Sequence, residues 1–179
     1  MTVTLYHCRD ARSFRALWAL EEIGVPYELK LLPFPPRYRA REYLEINPFG
    51  TIPLLVDGAT RMTESAAICQ YLGDRYSGPP LTVARDEPAY GAYLNALHFG
   101  EATLTFPQTI VLRYGFLEPT ERRLPQAAAD YTKWVLARMR ALDAGTSARL
   151  RYMARRGRLC GGGAVHDGRH FDRLCADDD

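Results

Sequence analysis

No stretch of the 179 residues is long and apolar enough to span a bilayer, which takes about 20 consecutive residues. The start lacks a basic segment followed by an apolar one, so no secretory leader is expected. Cysteine is scarce. Cys8, Cys69, Cys160 and Cys175 form neither a C-x-x-C pair nor the spacing of a metal site, which argues against a disulfide framework. An excess of one charge is also missing from the body of the chain. Residues 1–144 hold 16 Lys+Arg and 16 Asp+Glu, and the net +2 comes from residues 145–179, with seven Arg against five Asp. Without a basic stripe interleaved with aromatics, nucleic acid is not an expected partner. What is present, 47% hydrophobic and 25% charged residues, suits a soluble globular protein of one ordinary or two small domains, expected in the cytoplasm.

Along the chain, residues 2–8 alternate and are β-prone, predicting a first strand. Phe14, Leu17, Trp18 and Leu20 recur at helical spacing over residues 12–23, with Gly24 as the stop. A second strand is expected from Tyr27 to Leu32, then a loop forced by Pro33, Pro35 and Pro36, and a weak helix over 37–45. Leu54–Val56 and Thr60–Thr63 read as a hairpin across Asp57-Gly58. Ala67, Ile68, Tyr71 and Leu72 make the apolar stripe of a helix running to about Tyr76. This order, β-α-β, α, β-β-α, is that of a thioredoxin fold. After Ser77-Gly78-Pro79-Pro80 the pattern becomes helical: a long apolar-aromatic segment over 88–114 with Pro107 as a kink, then Ala128, Tyr131, Val135, Met139 and Leu142 over 126–142.

The most specific stretch is residues 47–68, N-P-F-G-T-I-P-L-L-V-D-G-A-T-R-M-T-E-S-A-A-I. Pro53 cannot donate to a sheet ladder, so in an apolar strand-like run it predicts a cis bond that exposes the Ile52 main chain. Glu64 and Ser65 stand at a helix start, where unpaired N–H groups favour a carboxylate. An extended peptide could pair with Ile52 while its carboxylate end meets Ser65. The plain alternative makes Ser65 an N-cap and Glu64 a first-turn acid.

Together with R-A-L-W-A-L-E-E-I-G in the first helix and Y-L-N-A-L-H-F-G-E-A-T-L in the helical part, these motifs resemble the cytosolic glutathione transferases, bacterial members in particular. The resemblance covers roughly residues 2–142. It implies an α/β, thioredoxin-like glutathione-binding domain over 1–78 and an all-α domain over 84–144 that is incomplete. Glutathione is then the co-substrate and a small hydrophobic electrophile the partner, with no metal, nucleic acid or membrane involved. A homodimer is implied if the helical domain folds. Ile52 and Pro53 would hold the cysteinyl part, and Glu64 and Ser65 the γ-glutamyl end. Counted back from L-E-E-I-G, Tyr6 falls on the catalytic hydroxyl of tyrosine-type members and Arg12 on a helpful arginine. Serine- and cysteine-type members place their residue nearer 10–12, here Asp, Ala and Arg, leaving Ser13 one step on and Cys8 on the strand side. Each candidate has a structural alternative: Tyr6 as a core aromatic, Ser13 as an N-cap, Cys8 as a small buried residue. Phe99, Thr103, Phe106 and Tyr114 lie where the family borders its electrophile pocket. Two rival functions stay open. One is a non-catalytic glutathione-binding protein or inactive remnant; the other, weaker for want of C-x-x-C, is a thiol-disulfide reductase.

Beyond Asp143 the apolar periodicity stops, and 145–179 reads as a disordered tail. The genetic code allows another description. Shifted forward by one base, codons permitted for Arg158–Asp179 can read D-Y-V-A-G-G-R-F-T-T-A-D-I-S-I-G-Y-A-L-M. Thus V-H-D-G-R-H as gtt-cac-gac-ggc-cga-cat contains ttc-acg-acg-gcc-gac, or F-T-T-A-D, a capping box preceded by Phe and followed by Ile. We therefore expect the chain to leave its ancestral frame between about Leu142 and Arg158, leaving apolar faces on 88–142 without a partner. A destabilised or association-prone product follows. Coding DNA in which no one-base shift restores this string, or a sharp cooperative melt of the 179-residue chain, would count against it.

Overall fold

The computed structural model describes residues 2–155, with side chains as far as residue 145. The tail beyond Arg155, where most of the expected out-of-frame sequence falls, lies outside the described residues. Two compact units follow one another, Met1–Phe106 and Pro107–Asp179.

The first unit contains β1 (Val3–His7), α1 (Phe14–Ile23), β2 (Tyr27–Leu31), two helical turns α2 (Pro36–Arg39) and α3 (Tyr43–Ile46), β3 (Leu54–Asp57), β4 (Thr60–Met62), α4 (Ser65–Arg75) and α5 (Tyr90–His98). The sheet order is β2-β1-β3-β4. β1 runs parallel to β2, with Tyr6 opposite Lys30, and antiparallel to β3, with Tyr6 opposite Leu54. A parallel pair needs a crossover, which α1 supplies. This is the expected thioredoxin-like architecture. Strand alternation sends Val3 and Leu5 to one core with Ala16, Ala19, Leu20, Ile23, Leu55, Ile68 and Leu72. Tyr6 goes to a smaller cluster with Ala40, Tyr43, Leu54 and Ile52.

Three local expectations need correction. α1 ends at Gly24 as predicted, φ +74°, its N–H donating to the Leu20 carbonyl. The buried stripe, however, is Ala16, Ala19, Leu20 and Ile23, while Trp18 is 52% exposed and donates its indole N–H to Glu22 at 2.7 Å. Small alanines let the helix lie close to the sheet, and the indole turns outward. On α4 the inward stripe is Ser65, Ile68 and Leu72, with Ala67 exposed. The hairpin turn is Gly58-Ala59, one residue later than expected, because Asp57 pairs with Thr60 inside the ladder. Gly58 supplies the positive φ, +59°, that the first central position of a II′ turn requires.

α5 passes into a wider, π-helical segment, Phe99–Thr105, which leads to α6 (Phe106–Leu112), a second wide turn (Arg113–Leu117), a 3₁₀ turn (Thr120–Arg122) and α7 (Pro125–Arg155). The widened turns stand on either side of Pro107, which has no N–H to give to an α ladder. α7 continues well past Asp143, where the apolar periodicity ends; Ala and Arg, both good helix formers, make up half of residues 144–155. Of its apolar positions Val135 is buried, whereas Met139 and Leu142 are half exposed. Among the described residues no helix is long and apolar enough to cross a membrane.

Candidate functional site

The N-P-F-G motif fixes the backbone that enters β3. Asn47, 3% exposed, donates from Nδ2 to the Thr51 carbonyl at 2.8 Å and to the Tyr43 hydroxyl at 3.2 Å. The Tyr43 hydroxyl donates to the same carbonyl at 2.7 Å. Gly50 closes the turn at φ +59°; a Cβ there would stand 2.8 Å from Arg37 Cβ and 2.9 Å from Leu44 Cδ2, so a side chain is excluded twice over. The Ile52–Pro53 peptide is cis and Pro53 is buried. β3 starts only at Leu54, so the Ile52 main chain lies just outside the ladder.

The second part of the site is the start of α4. Glu64 takes the cap position with extended backbone and no capping side-chain hydrogen bond. Ser65, 5% exposed, is the first helical residue. Its hydroxyl accepts from Arg15 Nη1 at 3.3 Å and donates to Glu101 Oε1 at 3.2 Å. The plain N-cap alternative for Ser65 is therefore not what the geometry shows. Arg15 also donates from Nη1 to Glu101 and from Nη2 to Thr105, whose hydroxyl donates to the Gly100 carbonyl. Arg12 Nη1 lies 3.6 Å from Glu101 Oε2, with its side chain 53% exposed. A hydroxyl from the first turn of α4 and two guanidinium groups thus converge on one carboxylate, a donor set that suits such an anion.

The thiol candidates occupy the turn between β1 and α1. Tyr6 is half-buried, its ring 5.4 Å from that of Tyr43 at 40°. Ser13 is fully buried; its Oγ accepts the Cys8 N–H at 3.2 Å and donates to the Cys8 carbonyl at 3.3 Å. It stands at the N-cap position of α1, its carbonyl accepting the Leu17 N–H at 3.1 Å, but its backbone is helical, φ −59° and ψ −20°, and its side chain makes no capping hydrogen bond. Cys8 is fully buried, and burial pushes its thiol pKa up, away from thiolate. Ser13 and Cys8 therefore engage each other across the turn, and Tyr6 faces the Ile52 side. Asp10 turns the chain at φ +55°.

Arg15, Glu101 and Thr105 are absent from the sequence-predicted set, as are Tyr43 and Asn47 behind Ile52. The N-P-F-G lead-in contains Asn47. Nothing local joins Arg15 to Glu101, 86 residues away. Arg15 also lines a mainly apolar groove of about 420 Å³ with Trp18, Ala19, Ala66, Cys69 and Leu97.

Residues 11–75 match the family model for the glutathione S-transferase N-terminal domain. The chain is 35% identical over 103 residues to glutathione S-transferase 3 of Schizosaccharomyces pombe, covering 57% of this chain and 42% of that protein. It is 36% identical over 143 residues to glutathione S-transferase hmp2 of Hypomyces subiculosus, covering 74% of this chain and 67% of that one. The chain thus spans well under half of the first relative's length and two thirds of the second's. Among solved structures, glutathione transferase URE2P6 from Phanerochaete chrysosporium, in complex with oxidized glutathione, superposes with a TM-score of 0.69 at 28% identity, over 80% of this chain and 67% of that one. On its fold, its motifs and these relatives, the chain belongs to the glutathione S-transferase family.

Proposed function

We propose that the chain binds glutathione between Ile52 and Ser65 and joins it through its thiol sulfur to small hydrophobic electrophiles, or reduces them. The observation that carries this reading is the carboxylate held by Ser65 and Arg15 at the first turn of α4, since a γ-glutamyl end brings the same group. The Ile52 main chain, outside the ladder, suits the cysteinyl part as a short strand addition. Pro53 shapes that backbone, and Glu64 and Arg12 flank the γ-glutamyl end. The donor set therefore fits the tripeptide.

The thiol must lose its proton, and its ordinary pKa of about 8.5 leaves it mostly neutral at physiological pH. A hydroxyl that donates to sulfur favours the thiolate. Tyr6, in the same cluster as Ile52, is the residue assigned to this, ahead of Ser13 and Cys8, whose groups are buried and engaged. The proton leaves to solvent, the sulfur electron pair forms the new S–C bond, and the leaving group departs with its bonding pair. Family membership supports a cytoplasmic homodimer.

The burial of Ser13 and Cys8 also favours a second reading, a glutathione-binding protein without turnover. Retention on glutathione resin together with conjugation of 1-chloro-2,4-dinitrobenzene supports the first reading. Retention without conjugation supports the second, and no retention refutes both.

A further inference from the structure

The Glu101 carboxylate occupies the position that the proposed function gives to the ligand's own. We propose that Glu101 is an internal plug of the carboxylate site, and that glutathione binds by exchange with it. The inference rests on the reading of that site as the γ-glutamyl seat.

Exchange follows from donor arithmetic. A serine hydroxyl has one proton to give, and Ser65 gives it to Glu101 Oε1. Arg15 Nη1 carries two, spent on Ser65 Oγ and Glu101, and Nη2 is directed at Thr105. A second carboxylate can take the Ser65 proton and the Nη1 proton now given to Glu101 only by displacing it, and its charge would add to those of Glu101 and Glu64. The plug is also held in place. Glu101 and Thr105 both project from the π-helical segment Phe99–Thr105, and its wide turn brings both onto one guanidinium. Arg12, 3.6 Å from the other carboxylate oxygen and exposed, steadies Glu101 without enclosing it, so the plug can leave.

A site competent only when unplugged binds with its intrinsic affinity reduced by the open fraction. Glu101→Gln keeps the shape and removes the charge, so glutathione binding measured by isothermal titration calorimetry is expected to tighten about tenfold. Glu101→Ala, which removes the reach as well, is expected to move the same way, with circular dichroism confirming that each variant is folded. Ser65→Ala serves as the reference and is expected to weaken binding. Unchanged or weaker binding in both Glu101 variants, with Ser65→Ala still weakened, overturns the plug and leaves the site reading intact; weaker binding would mean that Glu101 accepts from the ligand's ammonium group instead. No binding by the unmodified chain, or an indifferent Ser65→Ala, overturns both.

Discussion

Ser65→Ala separates a binding hydroxyl from a structural one. In the free chain the hydroxyl accepts from Arg15 at 3.3 Å and donates to Glu101 at 3.2 Å, each longer than the usual about 2.9–3.0 Å for N–H···O and about 2.7–2.8 Å for O–H···O bonds. Arg15 and Glu101 bond each other directly and stay paired without it. The fold should therefore lose only about 0.5–1 kcal/mol, a fall in Tm of roughly 1–4 °C for a chain of this size. A bond to the ligand's carboxylate is charge-assisted and contributes about 1.5–3 kcal/mol. Part of that is offset, because the substitution also loosens Glu101, so the net effect should sit near the lower end, about tenfold in Kd. Calorimetric titration with glutathione at fixed ionic strength gives the second number and a thermal scan the first. A Kd unchanged within about twofold refutes a direct contact, as does a Tm loss above roughly 10 °C, which would make Ser65 a structural residue.

Tyr6→Phe should leave glutathione affinity nearly unchanged while lowering kcat for 1-chloro-2,4-dinitrobenzene by about ten- to a hundredfold at pH 6.5, with the loss shrinking as pH rises towards the thiol's own pKa; a pH-independent effect would point to packing. Ser13→Ala should act on stability instead, costing about 1–3 kcal/mol in a denaturant melt because it leaves the buried Cys8 N–H and carbonyl without their partner. Cys8 should resist iodoacetamide in the folded chain at pH 8 and react once unfolded, as read by peptide mass spectrometry, since burial both hides the thiol and raises its pKa. Asp57→Asn should lower the melting temperature near neutrality, because the Tyr76 and Tyr71 hydroxyls hold the Asp57 carboxyl below the ordinary range. That stabilisation is complete above the unfolded carboxyl's pKa of about 3.9 and is lost as pH falls through the lowered folded value, so the two melting curves should converge in acid.

Where the sequence could be read, the signal was local. The strand alternation at Val3 and Leu5, the Gly24 stop and the proline after Ile52 each determine their own surroundings, and the fold places them as expected. Helix phase was less legible. α1 is apolar on most sides, so periodicity could not show that the alanines face the sheet and Trp18 faces out. The hairpin slipped by one residue because Asp57, a common turn residue, is drawn into β3, with its carboxylate on two tyrosines of α4 and its C-terminal flank. Turn propensity cannot register a partner 14 or 19 residues away. The Arg15–Glu101–Thr105 cluster is the extreme case. Arginine on a helix and glutamate on another are ordinarily solvated surface, and only the packing of α1 beside α4, with the π-helical segment beyond, makes them one site.

The two parts of the candidate site are built to different standards, and this bears on how catalysis could be gained or lost. Behind Ile52 the support is continuous. The Tyr6 ring rests on Tyr43, whose hydroxyl donates to the Thr51 carbonyl, which Asn47 also holds. The hydroxyl proposed to meet the thiol and the main chain proposed to hold the cysteinyl part are thus braced by the same buried tyrosine, 1% exposed. A disturbance at Tyr43 must reach both, so binding and turnover cannot be separated there. At the 8–13 turn the opposite holds. Ser13 and Cys8 close on each other, so apart from Arg12, which reaches Glu101, that turn can vary without touching the proposed ligand so long as Ser13 keeps its two bonds. The proposed sulfur chemistry belongs on the Tyr6 side, where a hydroxyl and the Ile52 main chain share one buried support.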